Sequence, residues 1–331
     1  MSETRFNIVG IGNAIVDIIS RCEDNFLTQN QLSKGHMQLI EAEDIDRLYQ
    51  AIGPAIEVSG GSAANSCAGI ASFGGDTAFI GKVNDDEFGR IFAHDLGAIG
   101  VMFKTAKASD SLPTARSLVL VTPDGERTMN TYLGVSPELN HGEIDADMIK
   151  DAQVTYLEGY LFDRPEAKAA FHQAAKIASD AGRKVALSLS DAFCVDRHRT
   201  EFLELIKNDV DILFANEEEI CALYETQNFD EACAKTKNDC ALAALTRGPK
   251  GSLVLTPEGT IEVAAQPVEK VVDTTGAGDL YAAGFLYGLT SGKGHKTSAE
   301  LGSIAAAEII SHLGARPEAT LSTLALDKGI S

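Results

Sequence analysis

Four short apolar runs, at 154–157, 184–189, 210–214 and 241–245, alternate with stretches of helical spacing at 165–181, 197–207 and 216–223. No other feature constrains the fold as much. Strands joined by helices must run parallel, and runs apolar on both faces need cover on both faces. The expected core is therefore a mostly parallel sheet between two helical layers, with ligands at the carboxyl ends of the strands. Gly159, Tyr160, Ser190, Asp191, Asn216, Thr246, Arg247 and Gly248 fall at those ends.

The stretch VVDTTGAGDLYAAGFLYG, residues 271–288, reads as strand end, small-residue turn, helix. Leu280, Ala283, Phe285, Leu286 and Leu289 recur at roughly helical spacing. A helix start leaves backbone N–H groups unpaired and carries partial positive charge. The small residues Gly276, Ala277 and Gly278 let an anion approach those groups, and Asp279 stands beside them. An acid there is placed to take a proton from a group attacking the anion. The plain alternative is a tight turn with a helix-capping acid.

A second small-residue turn enters a helix at SGGSAANSCAGIASFGGD, residues 59–76. Gly60 and Gly61 let backbone approach a ligand, and the Asn65 amide can fix hydroxyls through both its ends. Close helix–sheet packing would use the same alanines. Earlier, a first strand over 6–11 runs into GNAIVDI, in which Asn13, Ile15 and Asp17 precede or line a second strand. Ile15 stands where the dinucleotide fingerprint needs its third glycine, which weakens a dehydrogenase reading. Two strands around a turn at Pro123, Asp124 and Gly125 carry Arg127 and Met129, and Arg127 reads equally as a solvated hairpin residue. With the segment 14–40 this hairpin predicts a small sheet outside the main one.

DTTGAGDLYAAGF resembles the C-terminal signature of the ribokinase-like (PfkB-type) carbohydrate and nucleoside kinases, and SGGSAANSCAG through FIGKVNDDEFG resembles their N-terminal one. GNAIVDI, QLSKG, MQLIEAED and LSLSDAF are similar to the adenosine-kinase branch. The resemblance covers nearly the whole chain. It implies a single kinase domain over 1–331, a three-layer α/β/α sandwich with a lid from insertions at about 14–40 and 107–134. It implies transfer of the γ-phosphoryl of MgATP to the 5′-hydroxyl of adenosine. Asp279 would be the catalytic base, with Gly276, Ala277 and Gly278 as the anion hole and Arg127 meeting the phosphoryl group on closure. Asn13, Asp17, Gly61 and Asn65 would hold the sugar, and Ile15, Met37, Met129 and Tyr160 would line a purine pocket, where Tyr160-Leu161 replaces an aromatic pair. Asn216, Glu219, Thr246, Arg247, Gly248 and Gly251 would serve the nucleotide, with Glu219 near Mg2+ through water. Backbone at Asp273 and Thr275, beside the HLGARP loop, would hold a monovalent cation such as K+. The runner-up is a free-sugar kinase of the ribokinase or fructokinase type. A nucleoside-binding regulatory protein without catalysis is the reading from another class.

The 331 residues carry a formal charge of −20. Such a surface repels nucleic acid and anionic membrane, leaving small molecules as the expected partners of a monomer or homodimer. Six cysteines without a C-x-x-C pair, and an N-terminus without a secretory layout, predict a cytoplasmic chain with reduced thiols. Seven histidines without H-E-x-x-H argue against a transition-metal site. GLTSGKG at 288–294 fails the phosphate-loop pattern.

Overall fold

The short apolar runs all become strands of one sheet. The computed structural model describes residues 4–109 and 112–330. In chain order the elements begin with β1 (Phe6–Ile11), β2 (Ile15–Arg21), α1 (Asp24–Gln29), β3 (Met37–Leu39), α2 (Ala42–Ala51), β4 (Ala55–Gly60) and α3 (Ser62–Ser72). They continue with β5 (Thr77–Ile80), α4 (Glu87–Ala98), β6 (Val101–Phe103), β7 (Ala115–Val121), β8 (Arg127–Tyr132), α5 (Ala146–Lys150) and β9 (Ala152–Glu158). Next come α6 (Pro165–Asp180), β10 (Lys184–Ser188), α7 (Ala192–Asp209), β11 (Ile212–Asn216), α8 (Glu217–Leu223), α9 (Phe229–Asp239) and β12 (Leu242–Thr246). The last are β13 (Ser252–Thr256), β14 (Gly259–Val263), α10 (Ala277–Thr290), α11 (His295–Ile309) and α12 (Leu321–Asp327).

The main sheet has nine strands in the order β14-β13-β12-β11-β10-β9-β1-β5-β6. It is parallel from β12 to β6, and β13 and β14 extend it antiparallel. Side chains that alternate along each strand enter two separate cores. Ile8, Tyr156, Phe214 and Ala244 face one side with α3, α10 and α11. Val9, Leu157, Leu213 and Leu245 face the other with α6, α7, α8 and α9. This is the expected three-layer sandwich. Helices α10 and α11 lie so close that a Cβ on Gly284 would sit 2.4 Å from the Leu301 carbonyl oxygen. The small residues of AAGF thus serve close packing as well as the turn before them.

A second sheet, β3-β8-β7-β2-β4, stands outside the first. Its register pairs Asp17 with Val58 and Ser117, and Met129 with Val119 and Met37. Residues directly opposite share a face, so Ile15, Asp17, Ile56, Met37, Leu39, Arg127 and Met129 lie on one face. The other face carries Val16, Ile18, Leu118 and Leu120, buried with Leu27, Ile45 and Leu48 of α1 and α2. This second sheet also takes in β4 as an edge strand, and residues 110 and 111 of the second expected insertion lie outside the described residues. The strand expected at 210–214 is displaced to β11. The helix expected from 197 begins at Ala192, because Asp191 accepts the Cys194 amide at 2.6 Å and caps it. A kink at His198, φ −124°, marks where the helical pattern first becomes regular. Among the described residues no helix is long and apolar enough to cross a membrane.

Candidate active site

Two helix starts converge at the carboxyl end of the main sheet. Gly61 precedes α3 with φ 93°, and a Cβ there would sit 2.2 Å from the Asn13 carbonyl oxygen. Only glycine adopts that backbone at that approach without strain. Gly276 precedes α10 with φ 78°, against Ala315. These two turns bring Ser62, Asn65 and Asp279 together although more than two hundred residues separate them.

The half-buried Asp279 carboxylate accepts Ser62 Oγ at 2.6 Å and Asn65 Nδ2 at 2.9 Å, and Ser66 Oγ donates to its backbone oxygen at 3.0 Å. Burial raises its proton affinity above the ordinary carboxylate range, against the pull of those two bonds and of the Arg316 charge. Such a carboxylate is held in place and is more basic than a surface one. Asn65 is 5% exposed and its Oδ1 has no hydrogen-bond partner. A buried acceptor left open beside an aspartate is a place for a hydroxyl.

At the α10 start the Ala277 amide donates to Thr274 O at 3.2 Å. Gly278 and Asp279, in the first turn, have no preceding helical carbonyl to bond. Space around Gly278 is open: a Cβ there would meet nothing within 4 Å. A helix start with free amides and open space has the chemistry and the room to take an anion. Asp273, 7% exposed, holds the loop before it by accepting Thr275 N at 3.0 Å and Gly314 N at 3.1 Å. Its third partner is Arg127 Nη1, which reaches over from the lid. The arginine is thus not a solvated hairpin residue; its side chain is 9% exposed and its Nε has no partner.

Asp17 is pressed against the β4 end, where a Cβ on Gly60 would sit 2.3 Å from its Oδ2. Burial pushes its carboxyl up to about 6; Arg316 and Arg127 lower it and Asp279 raises it. Asn13 is 2% exposed, and each end of its amide has one protein partner: Nδ2 donates to Glu158 Oε1 at 2.9 Å, and Oδ1 accepts Ser136 Oγ at 2.9 Å. One N–H and one lone pair are left over by these two bonds. Glu158 also accepts Asn13 N at 3.2 Å and Ala63 N at 2.8 Å, and burial pushes its carboxyl up to about 7. It joins β9 to the β1–β2 turn and to the start of α3. Sequence reasoning missed Glu158, Ser62 and Arg316.

Around the rim, Tyr160 Oη donates to Ser190 O at 3.2 Å and its amide donates to Ser190 Oγ at 3.1 Å. The ring stays on the ledge between β9 and β10, whereas Ile15, Met37 and Met129 are on the lid. The structure therefore groups the expected purine-lining residues into two sets. Asn216 and Glu219 form a closed capping box: Glu219 accepts Asn216 N at 2.9 Å and Nδ2 at 2.6 Å, and Asn216 Oδ1 accepts Glu219 N at 2.8 Å. Burial pushes the Glu219 carboxyl up to about 7, and the charges of Asp191, Glu218 and Asp279 add to that. Thr246 ends β12 opposite Asn216. Beyond it Arg247 N donates to Gly251 O at 2.8 Å, closing the turn through Gly248. The Arg247 guanidinium lies 4.7 Å over the Phe229 ring, with Nε 3.5 Å from Glu217. Among the described residues no group of three or more His, Cys, Asp or Glu side chains is arranged to hold a metal ion.

Comparison with known proteins matches this arrangement to one family. The model of the pfkB family carbohydrate kinase matches residues 50–321. The crystal structure of adenosine kinase from Sinorhizobium meliloti is 51% identical, with a TM-score of 0.91 over 98% of this chain and 99% of that one. That of a probable sugar kinase protein from Rhizobium etli CFN 42 is 49% identical, with a TM-score of 0.92 over 98% and 99%. The probable fructokinase-6, chloroplastic, of Arabidopsis thaliana is 34% identical over 238 residues, 69% of this chain; the match spans 61% of that relative's length.

Proposed function

The chain belongs to the pfkB family of carbohydrate kinases, and we propose that it moves the γ-phosphoryl group of MgATP to the 5′-hydroxyl of adenosine, giving AMP and ADP. Membership makes it a phosphotransferase acting on a sugar or nucleoside alcohol; the choice of adenosine is the finer reading. One observation carries that choice. The lid face that bears Asp17 also exposes apolar surface, with Met37 at 49%, Leu39 at 57% and Ile56 at 67%. A free sugar has little apolar area to cover such a face, whereas a purine does. The likeness to a chain called adenosine kinase supports the same choice.

In this reading Asp17 and the open Asn65 Oδ1 bind ribose hydroxyls, and Asn13 positions the pocket through Glu158. Gly61 lets the acceptor lie against backbone. Ile15, Met37 and Met129 cover the base from the lid, and Tyr160 bounds it from the ledge. The acceptor oxygen attacks the γ-phosphorus, the bond to the β-phosphate oxygen breaks, ADP leaves, and the proton passes to Asp279. Transfer of this kind depends on positioning and charge stabilisation. The amides of Gly276, Ala277 and Gly278 hold the phosphoryl oxygens, Ala277 exchanging its bond to Thr274 for one of them. Arg127 leaves Asp273 for the same charge as the lid closes. Thr246, Gly248 and Gly251 border the nucleotide, and Arg247 and Asn216 shape its rim from behind.

The residues suit Mg2+ only as an ion held mainly by phosphates and water, with Glu219 as an outer carboxylate; bound so, it neutralises phosphate charge. K+ at the carbonyls of Asp273 and Thr275 would steady the anion cradle. The likeness to the Rhizobium etli probable sugar kinase and the plant fructokinase favours the second reading, a free-sugar kinase. ADP release with MgATP and a panel of adenosine, other nucleosides, ribose and fructose separates the two. Adenosine should give the highest kcat/KM. A higher value for ribose or fructose refutes the adenosine reading and leaves the kinase.

A further inference from the structure

Arg316 lies on the loop after α11, two residues beyond the Gly314 amide that holds Asp273. Its guanidinium donates to Ser59 O at 2.9 Å through Nε, to Ser59 Oγ at 3.1 Å through Nη2, and to Ala64 O at 2.6 Å through Nη1. It therefore joins the last residues of lid strand β4 to the first turn of α3. All three acceptors are neutral. A guanidinium keeps its charge even when buried: burial lowers Arg316 only to about 10. The carboxylates that face it are Asp17, Asp279 and Asp95 of α4; Cys67 of α3 also faces it, but burial pushes that thiol up to about 12 and leaves it neutral.

Asp17 comes from the second sheet and Asp279 from α10, and the Asp279 charge is felt at Asp17. Two like charges facing each other disfavour ionisation of both. Arg127 also faces Asp17, but it sits on the lid and is engaged with Asp273. Around Asp279 the other ionisable groups are Tyr156 and Glu158 of β9, Tyr160 after it, and Glu219 of α8, all acids. The nearest side chains of α3, Ser62, Asn65 and Ser66, are uncharged. Arg316 is thus the cation fixed to the body of the protein on this side of the site.

We propose that Arg316 is a positioning residue for phosphoryl transfer: anchored at Ser59, beside the Gly60 that lies against Asp17, and at Ala64, between the Ser62 and Asn65 that bond Asp279, it is the fixed counter-charge shared by these two carboxylates. The inference rests on the reading of Asp279 as the base. Arg316 touches neither phosphate nor acceptor. It acts through the two carboxylates, and it keeps acting when the lid carries Arg127 away.

The test is the pH dependence of acceptor kcat/KM in the wild type, Arg316→Gln and Arg316→Lys, with thermal midpoints on the same preparations. The base works ionised, so activity is lost as pH falls. Without the counter-charge that loss begins at higher pH. Arg316→Gln should fall about tenfold further than the wild type near pH 6.5 and recover most of the gap near pH 9. Arg316→Lys keeps the charge and should follow the wild-type acid limb at a lower plateau. A Gln profile that is lowered uniformly and unshifted means that Arg316 only supports the fold, and a Lys profile shifted as far as the Gln one also overturns the proposal. If Arg316→Gln does not fold, Ser59→Ala removes one anchor and no charge; it and the Lys variant should keep the wild-type limb, and a displaced limb in either refutes the idea. Wild-type turnover with superimposable profiles overturns the role of Arg316 alone, whereas absence of turnover with every acceptor overturns the kinase reading with it.

Discussion

Arg127→Ala removes the side chain that joins the second sheet to Asp273, in the loop before α10. In the structure that side chain is 9% exposed and the side chain of its partner Asp273 is 4% exposed. Removing one partner of a buried pair can cost about 3–5 kcal/mol. Here Asp273 keeps two backbone donors, Thr275 N at 3.0 Å and Gly314 N at 3.1 Å, so the loss should be nearer ~2 kcal/mol, as for a charged hydrogen bond. The catalytic effect follows from where the charge goes. A guanidinium about 4 Å from the phosphoryl group at an effective dielectric near 20 contributes about 4 kcal/mol. The bond to Asp273 is given up in exchange, which leaves a net of roughly 2–3 kcal/mol, or about 30- to 150-fold in rate. Steady-state kcat at saturating MgATP, adenosine affinity by equilibrium titration, and the thermal midpoint check this. The expected result is a fall in kcat of that order, adenosine affinity within about threefold, and a modestly lower midpoint. A lower midpoint with kcat within twofold of the parent would show that Arg127 fastens the lid and takes no part in the transfer.

Gly61→Ala forces a side chain into a left-handed backbone and within 2.2 Å of Asn13 O; it should cost roughly 1–3 kcal/mol of stability or more and weaken acceptor binding, and a midpoint equal to wild type refutes the backbone account. Asp17, Glu158 and Glu219, pushed up to about 6, 7 and 7, bind protons more tightly folded than unfolded, so the ligand-free midpoint should fall as pH rises from about 5 to 8. Scanning fluorimetry across that range checks it, and a rising midpoint contradicts the burial of these acids. Asn65→Ala opens both the Asp279 contact and the free acceptor; kcat/KM for the acceptor should drop while ATP affinity holds, and equal losses on both substrates would argue against a hydroxyl site there.

The parallel core was legible because its strands are apolar on both faces and its helices are short and regular. Both glycine turns were legible because a helix start with small residues has a local pattern. The lid was legible only in part: β4 is a six-residue strand whose partner β2 lies about forty residues away, and nothing local in AIEVSG announces that pairing. Glu158 ended an apolar strand and gave no signal, since its partners Asn13 and Ala63 are 145 and 95 positions away. Arg316 was missed for the same reason, its anchors lying 257 and 252 positions back. Residue type and spacing reveal local chemistry; these two side chains act only through tertiary contacts. Arg247 shows the converse, a residue in the expected loop whose side chain packs on Phe229 of a neighbouring helix.

Asp279 carries the proposed proton transfer. Asp279→Asn preserves size and can still meet Ser62 and Asn65, but it is no longer a base. If the carboxylate takes the acceptor proton, kcat should fall by about 10²–10⁴-fold, while MgATP affinity is kept or tightened because a negative charge beside the phosphates is gone. If Asp279 only caps α10, the variant should lose roughly 1 kcal/mol or less of stability and turn over normally. Measuring kcat, ATP affinity and thermal midpoint on one preparation decides between them: a folded, ATP-binding and nearly inactive variant is the predicted result, and a folded variant with turnover within a few-fold of the parent contradicts it.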